Sequence, residues 1–172
     1  MSVVLRPLTE TDEEQARQAH EELAREDFEF LLNLEPDEPW PSYVERVNRL
    51  AEGVGVREGW VPATFLVAEA DGQLVGRVSI RHELNQYLME EGGHVGYAVR
   101  PAFRRRGYAT AMLRGAVAVA RGVGVERLLV TCDADNVASA TVIERCGGLL
   151  EGIAPARDWS APKRRYWIEI LG

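Results

Sequence analysis

A strand, a short basic turn and a helix follow one another between residues 94 and 121, and this order constrains the fold more than any other feature of the chain. Residues 94–100 are predicted to form a strand, and Pro101 ends it because proline has no N–H to donate to a ladder. A helix is predicted over residues 107–121. Its apolar face consists of Met112, Leu113, Ala116, Val117 and Ala120. A helix that leads from one strand to the next indicates a fold of the α/β class.

The rest of the chain is predicted to follow the order β-α-α-β-β-β-α-β-α-β-β. Asp71-Gly72, between two β-type runs, is a strong hairpin signal, and Thr11 with Glu14 fits a capping box that opens the first helix. Strands are predicted over residues 3–8, 63–69, 73–81, 94–100, 127–131, 149–153 and 164–171. Helices are predicted over residues 11–27, 42–50, 107–121 and 136–146.

This order predicts one α/β (α+β) domain over residues 1–172, with a mixed central sheet of about six or seven strands flanked by about four helices. Strands after residue 100 are expected to pair in parallel because helices cross between them, whereas the earlier strands form antiparallel hairpins. The proline-rich residues 35–41 are expected to be non-helical, with Ser42 capping the second helix, and residues 85–93 are expected to form a loop.

Composition excludes several classes of protein. The net charge of -7 argues against nucleic-acid binding, and no apolar run is long enough to span a bilayer. Cys132 and Cys146 are too few for a zinc site or a disulfide framework, so we expect no metal, reduced thiols and a cytoplasmic location. The acidic surplus fits attraction of a cationic acceptor, although solubility alone makes many proteins acidic.

The turn before the helix at residue 107 has the features of an anion site. The first amides of a helix have no partner within it and lie at the positive end of its dipole. Gly107 and Ala109 leave room for a diphosphate, while Arg104, Arg105 and Arg106 supply charged donors. Three arginines at the positive end of the helix dipole destabilise the start of the helix. A bound anion would explain their presence there. The alternative is a solvated basic helix start that binds nothing.

Two motifs carry a family resemblance. Residues 99–113 read VRPAFRRRGYATAML and closely resemble the acetyl-CoA-binding motif A of GNAT N-acetyltransferases. Some 35 residues on, Asn136-Val137-Ala138-Ser139 and the stretch over residues 143–148 resemble motif B of the same family. The resemblance extends over residues 60–155, which would form the acyl-CoA-binding core. Residues 1–55 would then supply a first strand and the acceptor-side helices, and residues 160–172 the last strand.

The resemblance implies a set of cofactor-binding residues. The backbone of Tyr97, Ala98 and Val99 would bind the pantetheine arm like an added strand. The pyrophosphate would be held by Thr110 and by the backbone amides of residues 105–109, which include Arg105, Gly107, Tyr108 and Ala109. Asn136 would cap the next helix and contact the cofactor, or act as a plain N-cap, and Ser139 would lie near the pantetheine or the sulfur.

The catalytic residues are less clear from the sequence. The tyrosine that many family members use as an acid corresponds to Ile143, and the position that many fill with Glu or His as a base corresponds to Gly93. Tyr97, Tyr166 and His94 are therefore the candidates, each with a structural role in the sheet as its alternative. His82, Glu83, Glu90 and Glu91 could act through water. Cys132 lacks a His–Asp arrangement to activate it and is expected to be a buried thiol.

The resemblance thus implies an acyl-CoA-dependent N-acyltransferase that moves acetyl from acetyl-CoA to a primary amine by direct attack in a ternary complex. The acceptor would be a small molecule or a peptide, and a homodimer is expected. The alternative is a non-catalytic acyl-CoA-binding or regulatory domain that has kept motif A and lost the chemistry.

Overall fold

The computed structural model describes residues 2–170. Its helices and strands lie where the hydrophobic periodicity of the sequence predicts them. The described strands are β1 Val4–Arg6, β2 Ala63–Ala70, β3 Gln73–Arg81, β4 Val95–Val99, β5 Arg127–Asp133, β6 Leu149–Ala154 and β7 Lys163–Glu169. The described α-helices are α1 Glu13–Ala24, α2 Trp40–Arg49, α3 Tyr108–Gly122 and α4 Val137–Arg145. The predicted element order and the α/β class are both confirmed.

The strands form two sheets, one with the order β1-β2-β3-β4 and one with the order β5-β7-β6. Every strand pair in these two sheets is antiparallel, so the parallel pairing predicted after residue 100 is wrong. The physical reason is that β7 inserts between β5 and β6, so strands that follow each other through a helix do not pair. β4 and β5 meet where the His94 N–H donates to the Leu129 carbonyl, but the two strands do not pair with each other.

The core lies on both faces of the first sheet. On one face α3 packs its predicted apolar residues, of which Met112, Leu113, Ala116 and Ala120 are fully buried. On the other face α1 and α2 form a second cluster around Phe30, Tyr43 and Phe65. Burial of these side chains supplies the main stabilisation of the fold.

Most element boundaries shift by one to three residues from the prediction, and three local features differ in kind. Thr9, not Thr11, begins the first helical turn, because its N–H donates to the buried Asp12 carboxylate at 2.8 Å. Pro39 lies at the N-cap of α2, so Trp40 is already helical and Ser42 is not the cap; proline is tolerated there because the first amides of a helix have no partner within it. The expected loop over residues 85–93 contains a π-helical turn, Leu88–Gly92.

His94, directly before β4, joins the two sheets. Its N–H donates to the Leu129 carbonyl at 2.7 Å, and its Nδ1 accepts from the Leu129 N–H at 2.8 Å. Because Nδ1 is an acceptor, the ring must be neutral with its hydrogen on Nε2. Burial and the nearby Arg81 charge lower the pKa of His94 to about 4.

The depressed pKa of His94 predicts a pH-dependent stability. The folded state binds fewer protons than the unfolded state between pH 4 and the ordinary histidine pKa of 6.5, so stability is present above that window and is lost as the pH falls through it. Urea unfolding at several pH values should show a free energy of unfolding that falls more steeply in the wild type than in His94→Gln, whose side chain keeps an acceptor but does not titrate. Equal slopes in the two proteins would contradict this role.

No helix within residues 2–170 is long and apolar enough to cross a membrane.

Candidate active site

A cavity of about 730 Å³ lies between β4, the start of α3 and α4. Its walls come from β4, from the turn that follows it, and from the first turns of α3 and α4, with Leu23, Glu26 and Phe28 closing the α1 side. Every residue predicted to bind a cofactor lines this cavity except Arg106. The structure therefore brings together two sequence motifs that lie about 35 residues apart.

The edge of β4 that faces the cavity offers backbone groups that no other strand pairs with. β3 bonds β4 through His94 and Arg100, since Arg81 N–H donates to the His94 carbonyl and Arg100 N–H donates to the Val75 carbonyl. Because alternate residues bond the partner in an antiparallel pair, the register turns the amide groups of Tyr97 and Val99 away from β3. An extended ligand chain can bond this edge as an added strand would.

The start of α3 is built for an anion. Gly107 is the N-cap with φ 83°, and no side chain caps the first turn. Arg105 also has a left-handed φ of 63°, an unusual conformation for a residue with a side chain. Left-handed residues within such a turn bring successive N–H groups to one concave side, and that side lies at the positive end of the helix dipole. The amides leading into α3 therefore form a cradle that fits a phosphate or pyrophosphate.

The three arginines of the turn have different surroundings. Arg104 donates to the Val99 carbonyl at 3.0 Å and forms an ion pair with Glu26 at the rim of the cavity. Arg105 is exposed and lines the cavity, so its charge is available to a ligand. Arg106 lies outside the cavity, with its guanidinium carbon 5.7 Å from the centre of the Phe103 ring. Of the three side chains, only Arg105 combines a place on the cavity wall with no ion pair among the described residues.

A pair of hydroxyl groups lies at the inner end of the cavity. The Tyr97 hydroxyl is 2.9 Å from the Ser139 Oγ, and both residues line the wall. Ser139 is fixed by the start of α4, where its N–H donates to the Asn136 side chain at 3.1 Å, so Asn136 is the N-cap. Burial raises the pKa of Tyr97 to about 12, which keeps its hydroxyl protonated at neutral pH.

The two cysteines border this hydroxyl pair. Cys132 is buried on β5, and Cys146 donates to the Thr110 carbonyl at 3.6 Å. Burial raises the pKa of both thiols, so neither is the activated thiolate that a covalent mechanism requires.

The structure does not bring the other candidate residues to this cavity. Tyr166 is fully buried, and its hydroxyl donates to Glu144 at 2.9 Å on the outer side of α4. His94 uses its ring nitrogen to join the two sheets. Gly93 has no room for the side chain that a base would need, because a Cβ there would lie 2.6 Å from the Leu129 carbonyl oxygen.

The residues considered for a water-mediated base lie elsewhere as well. His82 bonds Thr64 at 2.7 Å, and Glu91 is buried against Ser160 and Arg157. Glu83 and Glu90 do not line the cavity.

Sequence reasoning missed several wall residues. Arg145 lies on the row of α4 that begins at Asn136 and continues through Ser139 and Val142, at intervals of three residues. This spacing places the four side chains along one face, and so it could have been found from the sequence. Glu26 and Phe28 could not have been found from the sequence, because no local pattern links them to the cavity residues some 80 positions away.

Within residues 2–170, no group of three or more His, Cys, Asp and Glu side chains could hold a metal ion.

Comparison with known proteins agrees with this geometry. The family model described as an acetyltransferase (GNAT) domain matches residues 2–148. The microcin C7 self-immunity acetyltransferase MccE, solved with acetyl-CoA and AMP, superposes with a TM-score of 0.70 at 17% identity, covering 98% of this chain and 92% of that one. No sequence among the curated proteins matches the chain.

Two further solved structures share the fold. The ribosomal L7/L12 alpha-N-protein acetyltransferase RimL, solved with coenzyme A, has a TM-score of 0.68 and 18% identity, covering 99% of this chain and 95% of that one. The Salmonella typhimurium protein yncA, solved with acetyl-CoA, has a TM-score of 0.65 and 13% identity, with the same two coverages. At these identities the superpositions show a common fold.

Proposed function

Because the chain belongs to the GNAT acetyltransferase family, we propose that it transfers an acyl group, acetyl foremost, from acyl-CoA to a primary amine within a ternary complex. The observation that carries the proposal is the cavity between β4 and α4, whose walls combine a free strand edge with an anion cradle. Acyl-CoA is an extended amide chain joined to a pyrophosphate. The amide chain can bond the strand edge, and the pyrophosphate can bind the anion cradle. The solved relatives that hold acetyl-CoA or coenzyme A support the same choice of donor.

The proposed binding mode follows from the placement of these groups. The pantetheine amides would bond the Tyr97 and Val99 backbone, and the pyrophosphate would accept from the amides at the start of α3. Arg105 and Arg145 would neutralise phosphate charge at the mouth of the cavity. The thioester would then reach the hydroxyl pair of Tyr97 and Ser139 at the inner end.

The proposed chemistry is direct attack. The neutral amine nitrogen bonds the thioester carbon, the carbon–sulfur bond breaks, and CoA leaves as a thiolate that takes up a proton. Tyr97 is the proposed donor of that proton, since its hydroxyl is protonated and supported by Ser139. The amine proton passes to water, because Glu26, the carboxylate on the described cavity wall, is held in an ion pair with Arg104.

Replacement of Tyr97 by phenylalanine should lower kcat by about a hundredfold, the lower end of the range for a general acid, because a thiolate is a good leaving group. The KM for acetyl-CoA should change little, since the Tyr97 backbone is kept. The measurement is steady-state kinetics of both variants, with Tyr166→Phe as the matched control. Tyr166→Phe should show near wild-type turnover. Equal losses in the two variants would contradict the role of Tyr97.

The function itself is tested by thiol release from acetyl-CoA across a panel of primary amines, with mass spectrometry of the product. Amine-dependent release with formation of an N-acetyl product is expected. The competing function is a non-catalytic acyl-CoA-binding domain, favoured by Gly93, which has no side chain, and by Ile143, which is fully buried where the family often has a tyrosine. Acetyl-CoA binding without turnover on any amine would favour that alternative.

A cytoplasmic location and a homodimer remain predictions from the sequence.

A further inference from the structure

A second cavity of about 390 Å³ lies between α2, the segment over residues 55–61 and the turn over residues 85–88. Ser79 and Arg81 of β3 form its floor, and Trp60 and Tyr87 stand at its wall with exposed fractions of 50% and 62%. Exposed aromatic side chains of this size beside a cavity are typical of ligand sites.

The charge of this cavity is opposite to that of the chain. Although the net charge is -7, the charged residues on its described wall are Arg46, Arg57 and Arg81, and no Asp or Glu lines it among residues 2–170. Glu38 pairs with Arg46 at 2.7 Å, and Glu35 pairs with Arg57 at 3.4 Å.

Arg81 differs from the other two because no carboxylate pairs with it within residues 2–170. Its Nη1 donates to the carbonyls of Gly92 and Gly93 at 3.1 and 3.2 Å, while Nε and Nη2 have no protein acceptor in the described chain. Burial lowers the pKa of Arg81, so the protein places this cation at a cost that a bound anion would offset.

A second, more deeply buried cation lies beside the partly buried Arg81. Arg77 is buried between the rings of Phe28 and Phe65, and it too has no carboxylate partner in the described chain. Burial and the charge of Arg81 together lower the pKa of Arg77 to about 9. Carbonyl groups, among them that of Gly96, accept from Arg77, so its donors are engaged within the protein, whereas those of Arg81 are available to a ligand.

Arg81 of the second cavity and Ala98 of the acyl-CoA cavity lie on the same face of the first sheet, on β3 and β4. The Nη2 of Arg81 would lie 3.3 Å from a Cβ placed on Gly96, so its guanidinium packs over that residue. Ala98, two residues along on the same face of the strand, lines the acyl-CoA cavity. Residues two apart in a strand are separated by roughly 7 Å, which a small amine can bridge.

From this geometry we propose that the second cavity holds the acceptor, and that the acceptor is a small primary amine carrying an anionic group, a carboxylate or a phosphate, which Arg81 binds. The inference rests on the proposed acyltransfer. The anion accepts from Nε and Nη2 of Arg81, Trp60 and Tyr87 cover the body of the molecule, and the amine extends along Gly96 towards the thioester.

The test compares matched acceptor pairs in thiol release from acetyl-CoA: amino acids against their carboxamides, and phosphoethanolamine against ethanolamine. The wild type should favour an anionic member by at least about tenfold in kcat/KM, the loss expected for a charged hydrogen bond, and the preferred pair identifies carboxylate or phosphate. Arg81→Met should reduce that preference to about twofold or less without changing the KM for acetyl-CoA. Arg127→Met, which removes the same charge from an exposed site on β5, should keep it.

Calorimetric titration of the same pairs into the CoA-bound protein separates the two claims. Turnover without an anionic preference, or a preference that survives in Arg81→Met, overturns the inference and leaves the acyltransferase standing. Arg81-dependent binding of the anionic member without turnover on any amine overturns the acyltransferase and leaves the anion site standing. If neither turnover nor Arg81-dependent binding occurs, both are overturned.

Discussion

Replacement of Gly107 by valine is expected to weaken the binding of CoA by at least a hundredfold, a loss of about 3 kcal/mol. Gly107 is the N-cap of α3 with φ 83°, a conformation that a β-branched residue rarely adopts. Valine would either shift the turn or place its methyl groups at the mouth of the amide cradle. Each charge-assisted hydrogen bond contributes about 1.5–3 kcal/mol, so displacing two of them accounts for the expected loss.

Gly124→Val is the matched control for that experiment. Gly124 follows the other end of α3 with φ 86°, and a Cβ there would meet nothing within 4 Å. Both variants should lose a similar amount of stability, about 1–2 kcal/mol for the left-handed conformation. Calorimetry should show wild-type CoA affinity for Gly124→Val only. Unchanged affinity in Gly107→Val would remove the basis for a phosphate site at the start of α3.

Replacement of Gly93 by alanine is expected to lower the free energy of unfolding by about 3 kcal/mol or more. Gly93 has φ 64° and ψ -170°, a region open essentially to glycine alone. The added Cβ would lie 2.6 Å from the Leu129 carbonyl oxygen, which also accepts from the His94 N–H. The strain and the clash therefore act together at the junction of the two sheets.

Gly124→Ala provides the reference for a positive φ without a clash in a denaturant titration. It carries a similar positive φ of 86° in open space, so it should lose only about 1 kcal/mol. A loss no larger in Gly93→Ala than in Gly124→Ala would contradict both the strain and the clash argued for Gly93. The same clash explains why a Glu or His base cannot occupy this position in the present backbone.

The cavity between β4 and α4 was predictable from sequence because its parts are local. The turn from Pro101 to Gly107 is determined by neighbouring residues, and the helix start at Asn136 is determined by its own cap. A contiguous motif keeps its geometry wherever the rest of the chain lies, so most residues named from the two motifs reached one cavity.

The split into two sheets could not be predicted, because it depends on which strands meet across long separations. β7 pairs with β5 and β6 through a register that no local pattern encodes. Tyr166 illustrates the consequence, since the period of a strand tells which residues share a face but does not tell which face borders the cavity. Its hydroxyl lies against Glu144 and not at the cavity.

The arginine-lined second cavity could not be predicted from the sequence either. The role proposed for Arg81 depends on its position over Gly96 and on its lack of a carboxylate partner in the described chain. The sequence alone shows neither. The overall acidity of the sequence suggested a cationic acceptor, whereas the second cavity is lined by arginines. Net charge reports on the whole surface and does not determine the sign of one cavity.

The most direct test of the account is a crystal structure of the chain with CoA. The account predicts that the pyrophosphate lies within hydrogen-bonding distance of the amides at the start of α3, that the pantetheine runs along the Tyr97–Val99 edge of β4, and that the sulfur ends near the Tyr97 and Ser139 hydroxyls. CoA bound elsewhere, or a pantetheine that makes no backbone contact with β4, would contradict it.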